Sequence, residues 1–444
     1  MTALSEAVVR PRISYARPSS RAPRIGVIYP SGWGNLGDEA ILQSTFNGIR
    51  ARWPDAELRA FTLHPARTAS NHGVSADELT GITRPMFLSP RGDGPFVVRA
   101  ARGVARRTQR IPLLGAIADA GAQLTSAIVF ESTALVRAWQ WIRTADLVLA
   151  AGGGQLDAAW GGAWGQPYAL ARWAWLAKKA NVPFAFLSVG FGSTKNRLSR
   201  TFMRYAVQRA VYCSVRDEGS RKLTAGLGVK RELQVVPDLA FALETKAPLK
   251  PRRPGYDIGL SPMVFLKPGG WPDDDAAKYE GLVTLWCQLV SDRIRKGDRL
   301  HIFVSDPGDM DAVRDVWSRL SESERASCSI IEADSPGALL EFYRGLDLVI
   351  SSRLHGVLLA IVAGRPVAAL AHERKVRAVM DDAGMSRFCT NLESATVESV
   401  DSILAALTTQ LDICSRQLRE YADSAKRAVV AQEGLISSLL RRQP

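Results

Sequence analysis

The segment Ser351–Gly356, SSRLHG, places an arginine and a histidine two residues apart. Arg353 carries a planar, permanently charged guanidinium that suits a carboxylate or a phosphate. His355 is a side chain that can give and take a proton near neutral pH. The segment follows an apolar run, Leu346–Ile350, that predicts a buried strand, and a helix follows it. Because α/β folds place catalytic groups just past strand ends, we interpret SSRLHG as a functional site rather than a structural helix cap.

Two further segments place cationic side chains after predicted strands. AHERKVRAVM contains Lys375, which could hold a phosphate as a point charge or could simply belong to a basic surface helix. SVRDEGS places Arg216 and Asp217 directly after the strand YCSV. Arg216 could bind an anion there, or it could form a structural ion pair with Asp217. Local sequence favours neither alternative over the other.

Two glycine-containing stretches carry polar groups that suit sugar hydroxyls. In GWGNLGDEA, Asn35 and Asp38 could hydrogen-bond the hydroxyls of an acceptor substrate. Asp38 could instead complement the dipole of the helix that begins there. In GGGQLDAAWGGAWGQP, Gln155, Asp157 and Trp160 suit a sugar ring, but tryptophans that pack a domain edge are as common. The first stretch has neither GxGxxG in the dinucleotide register nor GxxxxGK followed by Ser or Thr. No standard nucleotide phosphate loop is therefore predicted.

Strands and helices alternate along the chain in the order typical of an α/β fold. RIGVIYP, residues 24–30, predicts a buried first strand, and a glycine loop and a helix follow it. The alternation continues to LQVVPDLAFAL, stops at the Pro-rich stretch KAPLKPRRPG, and restarts at YDIGLSPM. The sequence therefore predicts an α/β fold of two Rossmann-like domains facing across a cleft. This is the GT-B-like architecture of many glycosyltransferases, in which ligands bind at the carboxyl ends of strands.

The same alternation sets the predicted domain boundaries. They are a disordered leader (1–22), an N-terminal Rossmann-like domain (23–245), a linker (246–255), a C-terminal Rossmann-like domain (256–396) and a C-terminal helical tail (397–444). An arginine-rich stretch at about 91–143 interrupts the first domain. It predicts either a basic amphipathic helix on anionic lipid headgroups or a helical excursion with a solvated basic face.

Composition limits the classes of partner and location. The 444 residues carry a net charge of +13, which indicates anionic partners. No nucleic-acid-binding signature occurs, so we expect an anionic substrate and contact with the inner face of the membrane rather than nucleic acid. The five cysteines form no CxxC pair, which argues against a disulfide framework and against a structural zinc site. The basic leader has no apolar core, so a cytoplasmic protein is expected.

An ordered set of motifs resembles the polysaccharide pyruvyl transferase family. The set consists of GNLGDEAIL, the strand running into GGG, SVRDEGS, VVPDLAF, and SSRLHG followed by RKV, and it runs from about residue 24 to about residue 384. Each motif is modest alone, but the ordered set is specific. The resemblance implies an enzyme that moves the enolpyruvyl group of phosphoenolpyruvate onto two hydroxyls of a glycan or glycolipid sugar. The product would be a pyruvate ketal of a cell-surface polysaccharide, and phosphoenolpyruvate would be a co-substrate with no further cofactor.

The resemblance also implies roles for particular residues. Arg216, Arg353 and Lys375 correspond to residues that bind phosphoenolpyruvate. His355 corresponds to the general acid, and Asp38 to a candidate for the base or for an acceptor contact. No metal is implied, and no cluster of histidine, cysteine and carboxylate residues predicts one.

Two other functions fit parts of the same sequence. A nucleotide-sugar-dependent glycosyltransferase of GT-B type would differ in its donor, and no carboxylate suited to a ribose stands out near SSRLHG. A non-catalytic protein that binds glycans or lipid surfaces would need no proton donor. The grouping of Arg353, His355 and Lys375 argues against that second alternative.

Overall fold

The computed structural model describes residues 22–82, 112–159, 161–245, 254–271 and 273–441. The predicted leader, most of the predicted linker, the first part of the arginine-rich stretch and Trp160 lie outside the described residues.

The chain divides into two compact units. The first unit combines the described parts of Met1–Gly32, Thr45–Val236 and Gln432–Pro444, and the second combines Trp33–Ser44 and Pro237–Ala431. The sequence-based boundaries assign residues 33–44 to the N-terminal domain and residues 432–441 to the tail. In the structure, residues 33–44 belong to the second unit and residues 432–441 belong to the first, because these segments contact residues far away in the sequence.

The first unit is built on a parallel sheet with the strand order β3-β2-β1-β4-β5-β6-β7. Its strands are β1 (Arg24–Ile28), β2 (Glu57–Thr62), β3 (Ser75–Glu78), β4 (Leu147–Ala151), β5 (Phe184–Val189), β6 (Tyr212–Val215) and β7 (Gln234–Val235). Strands β4 and β5 are continuous apolar runs, broken only by one serine, and they are buried along their whole length. This is typical of parallel strands that are covered on both faces.

The helices that connect strands β2 to β7 lie wholly within the first unit. They are α2 (Pro65–His72), α3 (Pro112–Ile142), α4 (Gln166–Ala180), α5 (Arg197–Arg209) and α6 (Glu218–Ala225). Pro167 lies in the first turn of α4. Asn196 caps α5 by accepting a hydrogen bond from the Ser199 amide (3.0 Å). The inner face of α4 packs Trp173 against Phe61 of β2, with ring centroids 4.2 Å apart.

The second unit is built on a second parallel sheet, in the order β10-β9-β8-β11-β12-β13. Its strands are β8 (Asp257–Ser261), β9 (Arg299–Phe303), β10 (Cys328–Ile331), β11 (Leu348–Ser351), β12 (Val367–Ala371) and β13 (Cys389–Asn391). Its helices are α7 (Ala276–Arg295), α8 (Met310–Arg319), α9 (Glu322–Ala326), α10 (Pro336–Arg344), α11 (Leu354–Val362), α12 (Arg374–Asp382) and α13 (Val397–Thr408). The division between the units cuts two helices, α1 (Leu36–Arg52) and α14 (Leu411–Arg441).

Both sheets place the first strand of the unit next to the fourth. These pairs are β1 with β4 and β8 with β11. The strand order is that of a Rossmann domain, and folds of this kind bind ligands where the order reverses, beyond the carboxyl ends of the central strands. The predicted α/β class with two Rossmann-like domains is confirmed.

The described part of the chain bears on three features: membrane-spanning helices, disulfides and metal clusters. No helix there is both long enough and apolar enough to cross a membrane. All five cysteines are free thiols. Among the described residues, no group of three or more His, Cys, Asp or Glu side chains is arranged to hold a metal ion.

The end of α14 gives the first unit a pH-sensitive carboxyl group. Glu433 lies beside Gly48 and Arg52 of α1, with its Oε2 3.8 Å from the Arg52 Nε. Burial raises the pKa of Glu433 to about 7, and the charge of Arg52 opposes this rise only in part. Because the folded state binds this proton more tightly than the unfolded state does, stability is lost as the pH rises from about 4.5 through 7.

We therefore expect Glu433→Gln to stabilise the protein in alkaline but not in acid buffer. The gain in unfolding free energy at pH 8 should reach up to about 3 kcal/mol, from about 1.4 kcal/mol per pKa unit. Urea unfolding at pH 4 and at pH 8 measures it. Glu420→Gln, on an exposed turn of the same helix, is the control and should change neither curve. An equal gain at both pH values would contradict the assignment.

Candidate functional site

The candidate site of the second unit begins at the central strands β8 and β11. Ser261 and Ser351 end these strands and lie opposite each other in the register. Both serines and the following Ser352 are fully buried. Their hydroxyls have no hydrogen-bond partner within the described part of the chain. Buried polar groups are normally bonded, so hydroxyls left over at strand ends indicate a place for a polar ligand or ordered water.

Helix α11 starts immediately beyond β11. Arg353 stands at its N-cap position, but the Arg353 side chain makes no capping hydrogen bond to the helix. A Cβ built on Gly356, in the first turn, would overlap the Ser351 hydroxyl, so that hydroxyl is directed at the start of the helix. The first amides of a helix have no partner within it, and the helix dipole makes them attractive to anions. This helix start therefore suits a phosphate or a carboxylate.

His355 lies in the first turn of α11. A Cβ built on Gly37 of α1 would overlap the His355 ring, so the ring lies directly against the backbone of Gly37. Its Nε2 is 3.9 Å from the Asp238 Oδ2, and the histidine side chain is 13% exposed. The Nε2 atom has no hydrogen-bond partner among the described residues. The ring is thus held on one side by a glycine and faces a carboxylate, and one nitrogen remains available for proton transfer.

Asp238 is a residue of this site that sequence reasoning missed. It is buried and caps a short 3₁₀ turn, Leu239–Ala242, by accepting a hydrogen bond from the Ala240 amide (3.1 Å). This carboxylate lies close enough to the His355 ring to help orient it. The motif VVPDLAF contains the signal, since an aspartate follows a predicted strand there. Only the folded structure shows that this aspartate approaches His355.

Arg353 is held by a buried carboxylate. Its Nε and Nη2 donate to the two oxygens of Asp309, each at 2.6 Å, and Asp309 is fully buried. Asp309 also accepts a hydrogen bond from the Val264 amide (3.1 Å). Burial lowers the pKa of the Arg353 guanidinium, but the hydrogen bonds and charge of Asp309 outweigh this effect and raise it. Arg353 thus has a fixed position, and much of its charge is already balanced.

The start of α1 is tied to the loop after β9. The Oδ1 of Asn35 accepts hydrogen bonds from the amides of Gly37 (2.9 Å) and Asp38 (3.3 Å). Its Nδ2 donates to the Asp306 Oδ2 (2.9 Å), and the Leu36 amide donates to the Ser305 carbonyl (2.8 Å). Both ends of the Asn35 amide are therefore engaged in positioning the loop. Asp38 lies in the first turn of α1 and is partly exposed.

Lys375 lies at the start of α12, after the neighbouring strand β12. Its Nζ is 2.6 Å from the Glu373 Oε2, and the other oxygen of Glu373 is 2.9 Å from the His372 Nε2. Burial raises the pKa of Glu373, but the hydrogen bond to His372 and the charge of Lys375 outweigh it and lower the pKa to about 2. Lys375 is part of a chain of three side chains rather than a separate surface cation.

The predicted site residues of the first unit lie at the carboxyl ends of β4 and β6. Arg216 follows β6 with its side chain 9% exposed, and its Nε is 3.6 Å from the Asp217 Oδ2. A Cβ built on Gly190 would come within 2.8 Å of the guanidinium, so Arg216 lies flat against a glycine that follows β5. Asp217 caps α6 through the Ser220 amide (2.6 Å). Both alternatives for Arg216, anion binding and an ion pair, remain compatible with this arrangement.

The three predicted acceptor residues near β4 differ in their surroundings. Gln155 is fully buried; its amide donates to the carbonyls of Ile28 (3.2 Å) and Ala151 (3.1 Å) and accepts from Gln166. An acceptor would have to displace these bonds to reach it. Asp157 is partly exposed and accepts a hydrogen bond from the Ala159 amide (2.8 Å). Trp160 lies outside the described residues.

The structure therefore groups the predicted residues in two sets. In the second unit, Asn35, Arg353 and His355 are linked through Gly37 and the loop after β9, and Lys375 follows the adjacent strand. The first unit holds Arg216, Gln155 and Asp157. This second set lies at the carboxyl edge of the first sheet, where Arg216 and Asp157 lie against Gly190 and Gly192 of the loop after β5.

Solved structures resemble this chain in fold. Anabaena HepE, in complex with UDP and glucose, has a TM-score of 0.53 at 14% identity, covering 93% of this chain and 99% of that one. MnaA of S. aureus, in a co-structure with UDP, has a TM-score of 0.54 at 10% identity, with coverages of 95% and 99%. The glycotransferase of kitacinnamycin has a TM-score of 0.53 at 11% identity, with coverages of 94% and 99%. The likeness confirms the GT-B-like fold class that the sequence predicts.

Sequence comparison is more specific about the family. No curated protein matches the chain. The family model for polysaccharide pyruvyl transferases matches residues 35–374, from the asparagine that caps α1 to the start of α12. The match therefore spans the segments around His355, Asp238 and Arg216, and it covers well over half of the chain. This protein belongs to the polysaccharide pyruvyl transferase family.

Proposed function

We propose that this protein transfers the enolpyruvyl group of phosphoenolpyruvate to two hydroxyls of a glycan sugar and closes a pyruvate ketal. The observation that carries the proposal is the environment of His355. Its Nε2 has no hydrogen-bond partner in the described structure, and it stands at an uncapped helix start beside a buried carboxylate. Together these features support a proton transfer to a carbon atom next to a bound anion.

The donor would be held by amides and cations at the strand ends. Phosphoenolpyruvate carries a phosphate and a carboxylate, so its site needs several fixed donors. We assign Arg216, Arg353 and Lys375 to donor binding, together with the first amides of α11. Because Asp309 already balances much of the charge of Arg353, the amides and the Ser351 hydroxyl should carry a larger share than the sequence alone indicates.

The proposed reaction balances without a metal or a redox partner. His355 gives its proton to the methylene carbon of phosphoenolpyruvate, which leaves positive charge at C2. A sugar hydroxyl attacks C2 and loses its proton to a base, for which Asp38 is the candidate. The C2–O bond to phosphate then breaks, and phosphate leaves with the electron pair. The second hydroxyl attacks C2, loses its proton, and closes the ketal.

We propose a glycan or glycolipid acceptor in the biosynthesis of a cell-surface polysaccharide, with the reaction in the cytoplasm at or near the inner face of the membrane. Phosphoenolpyruvate is a co-substrate, and no further cofactor is proposed. Acceptor contacts by Asn35, Gln155, Asp157 and Trp160 stay predictions.

A nucleotide-sugar-dependent glycosyltransferase is the second candidate function. The observation that favours it is the fold, which resembles that of proteins solved with UDP. At 10–14% identity this likeness concerns the fold alone. The environment of His355 favours the pyruvyl transfer reaction, because a GT-B glycosyltransferase needs no protonation of a carbon atom.

The test follows both products of the proposed reaction. Purified protein is incubated with phosphoenolpyruvate and a panel of glycan and glycolipid acceptors, and phosphate release and pyruvate incorporation are measured in the same samples. We expect phosphate release that depends on the acceptor and equals the pyruvate incorporated. Sugar transfer from a sugar nucleotide, with no phosphate release from phosphoenolpyruvate, would replace the proposal by the second candidate.

A further inference from the structure

The outer face of helices α4 and α5 in the first unit carries a group of aromatic side chains. Trp164, in the turn before α4, has ring centroid distances of 5.6 Å to Tyr168 and 5.9 Å to Phe202, and Tyr168 and Phe202 are 6.0 Å apart. Trp164 is 52% exposed, and Leu198, one turn before Phe202, is 40% exposed. Large apolar side chains grouped in contact with solvent indicate an interaction surface.

Helical geometry extends this group along both helices. Helices α4 and α5 each connect neighbouring parallel strands, so they run in the same direction beside each other. Trp175 lies two turns after Tyr168 and is exposed, and Tyr205 lies almost one turn after Phe202. We define the α4–α5 face by its exposed and half-exposed side chains: Trp164, Tyr168, Trp175, Leu198, Phe202 and Tyr205.

The charged side chains in the stretch of sequence that contains this face are all positive. From Ala158 to Arg216 the sequence contains nine Lys and Arg residues and no Asp or Glu. Lys179 continues the row of Tyr168 and Trp175, and Arg209 lies 5.3 Å over the Tyr205 ring. Glu131 of α3 accepts a hydrogen bond from Tyr168, but Arg172 pairs with it at 2.9 Å. The α4–α5 face is therefore aromatic, apolar and cationic.

We propose that the α4–α5 face docks on an anionic lipid bilayer surface. Tryptophan and tyrosine prefer the level of the lipid headgroups, and lysine and arginine beside them are attracted to anionic lipids. A second copy of the chain fits poorly, because a two-fold contact would set like charges against each other. The docking does not depend on the proposed reaction, so the two can fail separately.

The α4–α5 face lies close to the predicted site residues of the first unit, so docking could bring a lipid-linked acceptor to them. Helices α4 and α5 follow β4 and β5, so Trp164 and Leu198 lie at the carboxyl edge of the first sheet, as Asp157 and Arg216 do. Docking through this end would bring that edge of the sheet close to the headgroups. An acceptor carried on a lipid would then be presented where the predicted site residues of the first unit lie.

The test is sedimentation of the full-length protein with sucrose-loaded vesicles. Vesicles of phosphatidylcholine alone are compared with vesicles that also contain phosphatidylglycerol, at low and at high salt. We expect binding to the anionic vesicles that weakens as salt is added. Lys179→Gln/Arg209→Gln should lower the partition coefficient about thirtyfold, from about 1 kcal/mol per cation. Trp164→Ser/Leu198→Ser should lower it about tenfold or more.

Helix α3 offers a matched control. Leu124 and Ile128 are 63% and 57% exposed, on a helix whose described part has no cluster of cations. Leu124→Ser/Ile128→Ser should leave vesicle binding unchanged. Circular dichroism and thermal unfolding check that all variants fold, which we expect because the substituted side chains are mostly exposed.

Several outcomes would overturn the proposal. These are absence of binding by the intact protein, equal binding to neutral vesicles, or loss of binding in the α3 variant with none in the α4–α5 variants. Displacement from vesicles by single-stranded RNA at low concentration would identify the face as a nucleic-acid surface instead. A dimer in sedimentation equilibrium that Trp164→Ser/Leu198→Ser dissociates would identify it as a self-association surface.

Discussion

His355→Ala is expected to lower pyruvate transfer by about 10²–10⁴-fold, the usual contribution of a general acid. The proposed step needs a proton at the methylene carbon of the donor, and His355 is the side chain whose Nε2 remains without a hydrogen bond in the described site. We expect the variant to fold, because it removes a partly exposed side chain and adds no atoms to the interior; thermal unfolding checks this. Initial rates at saturating donor and acceptor measure the effect.

A second variant of His355 distinguishes the loss of proton donation from the loss of side-chain volume. His355→Gln keeps a polar side chain of similar length but cannot give up a proton in the same way. It should be nearly as inactive as His355→Ala while it still binds phosphoenolpyruvate, as measured by calorimetry. Substantial activity of either variant would show that another group protonates the donor, and the role assigned to His355 would be wrong.

Gly37→Ala is expected to have the second-largest effect. The added methyl group would overlap the His355 ring, so the ring must turn away from its place between α1 and Asp238. A displacement of about 1 Å at a catalytic group can cost about 10²-fold in rate. We therefore expect the rate to fall by about that factor although no functional group is lost, with kcat more affected than the KM for phosphoenolpyruvate.

Matched glycine variants provide the control. Gly281, within α7, has open space where its side chain would be, and Gly281→Ala replaces a poor helix former with a good one. It should leave activity unchanged and raise stability slightly. Normal activity of Gly37→Ala would mean that the His355 ring can work from another position.

The strands beneath the site could be predicted from the sequence because their pattern is local. Buried parallel strands are short apolar runs, and the run before SSRLHG ends as β11 at Ser351. Helix starts are equally local, as Pro167 and Asn196 show. Local patterns were therefore enough for the fold class and for the place of the candidate catalytic segment.

The partners of the site residues could not be read in the same way. Asp309 lies 44 residues before Arg353, and Asp306 lies 271 residues after Asn35. No periodicity connects positions so far apart, and an aspartate in a loop has the same local pattern whether or not it faces an arginine. For the same reason Gln155 was predicted as a contact to the sugar, although its amide bonds Gln166 and two backbone carbonyls.

The two helices cut by the division between the units have a consequence for how the chain is made. Each unit is discontinuous, because residues 33–44 complete the second unit and residues 432–441 complete the first. The hydrogen bond from Asn35 to Asp306 cannot form until 271 further residues have been synthesised. At about 5–20 residues per second, this takes about 15–50 seconds. Helix α14 supplies Gln432, whose amide donates to the Ser188 hydroxyl (3.1 Å), only after 244 further residues have been made. The glycine loop at the start of α1 is therefore made early in synthesis but stays incomplete until Asp306 has been made.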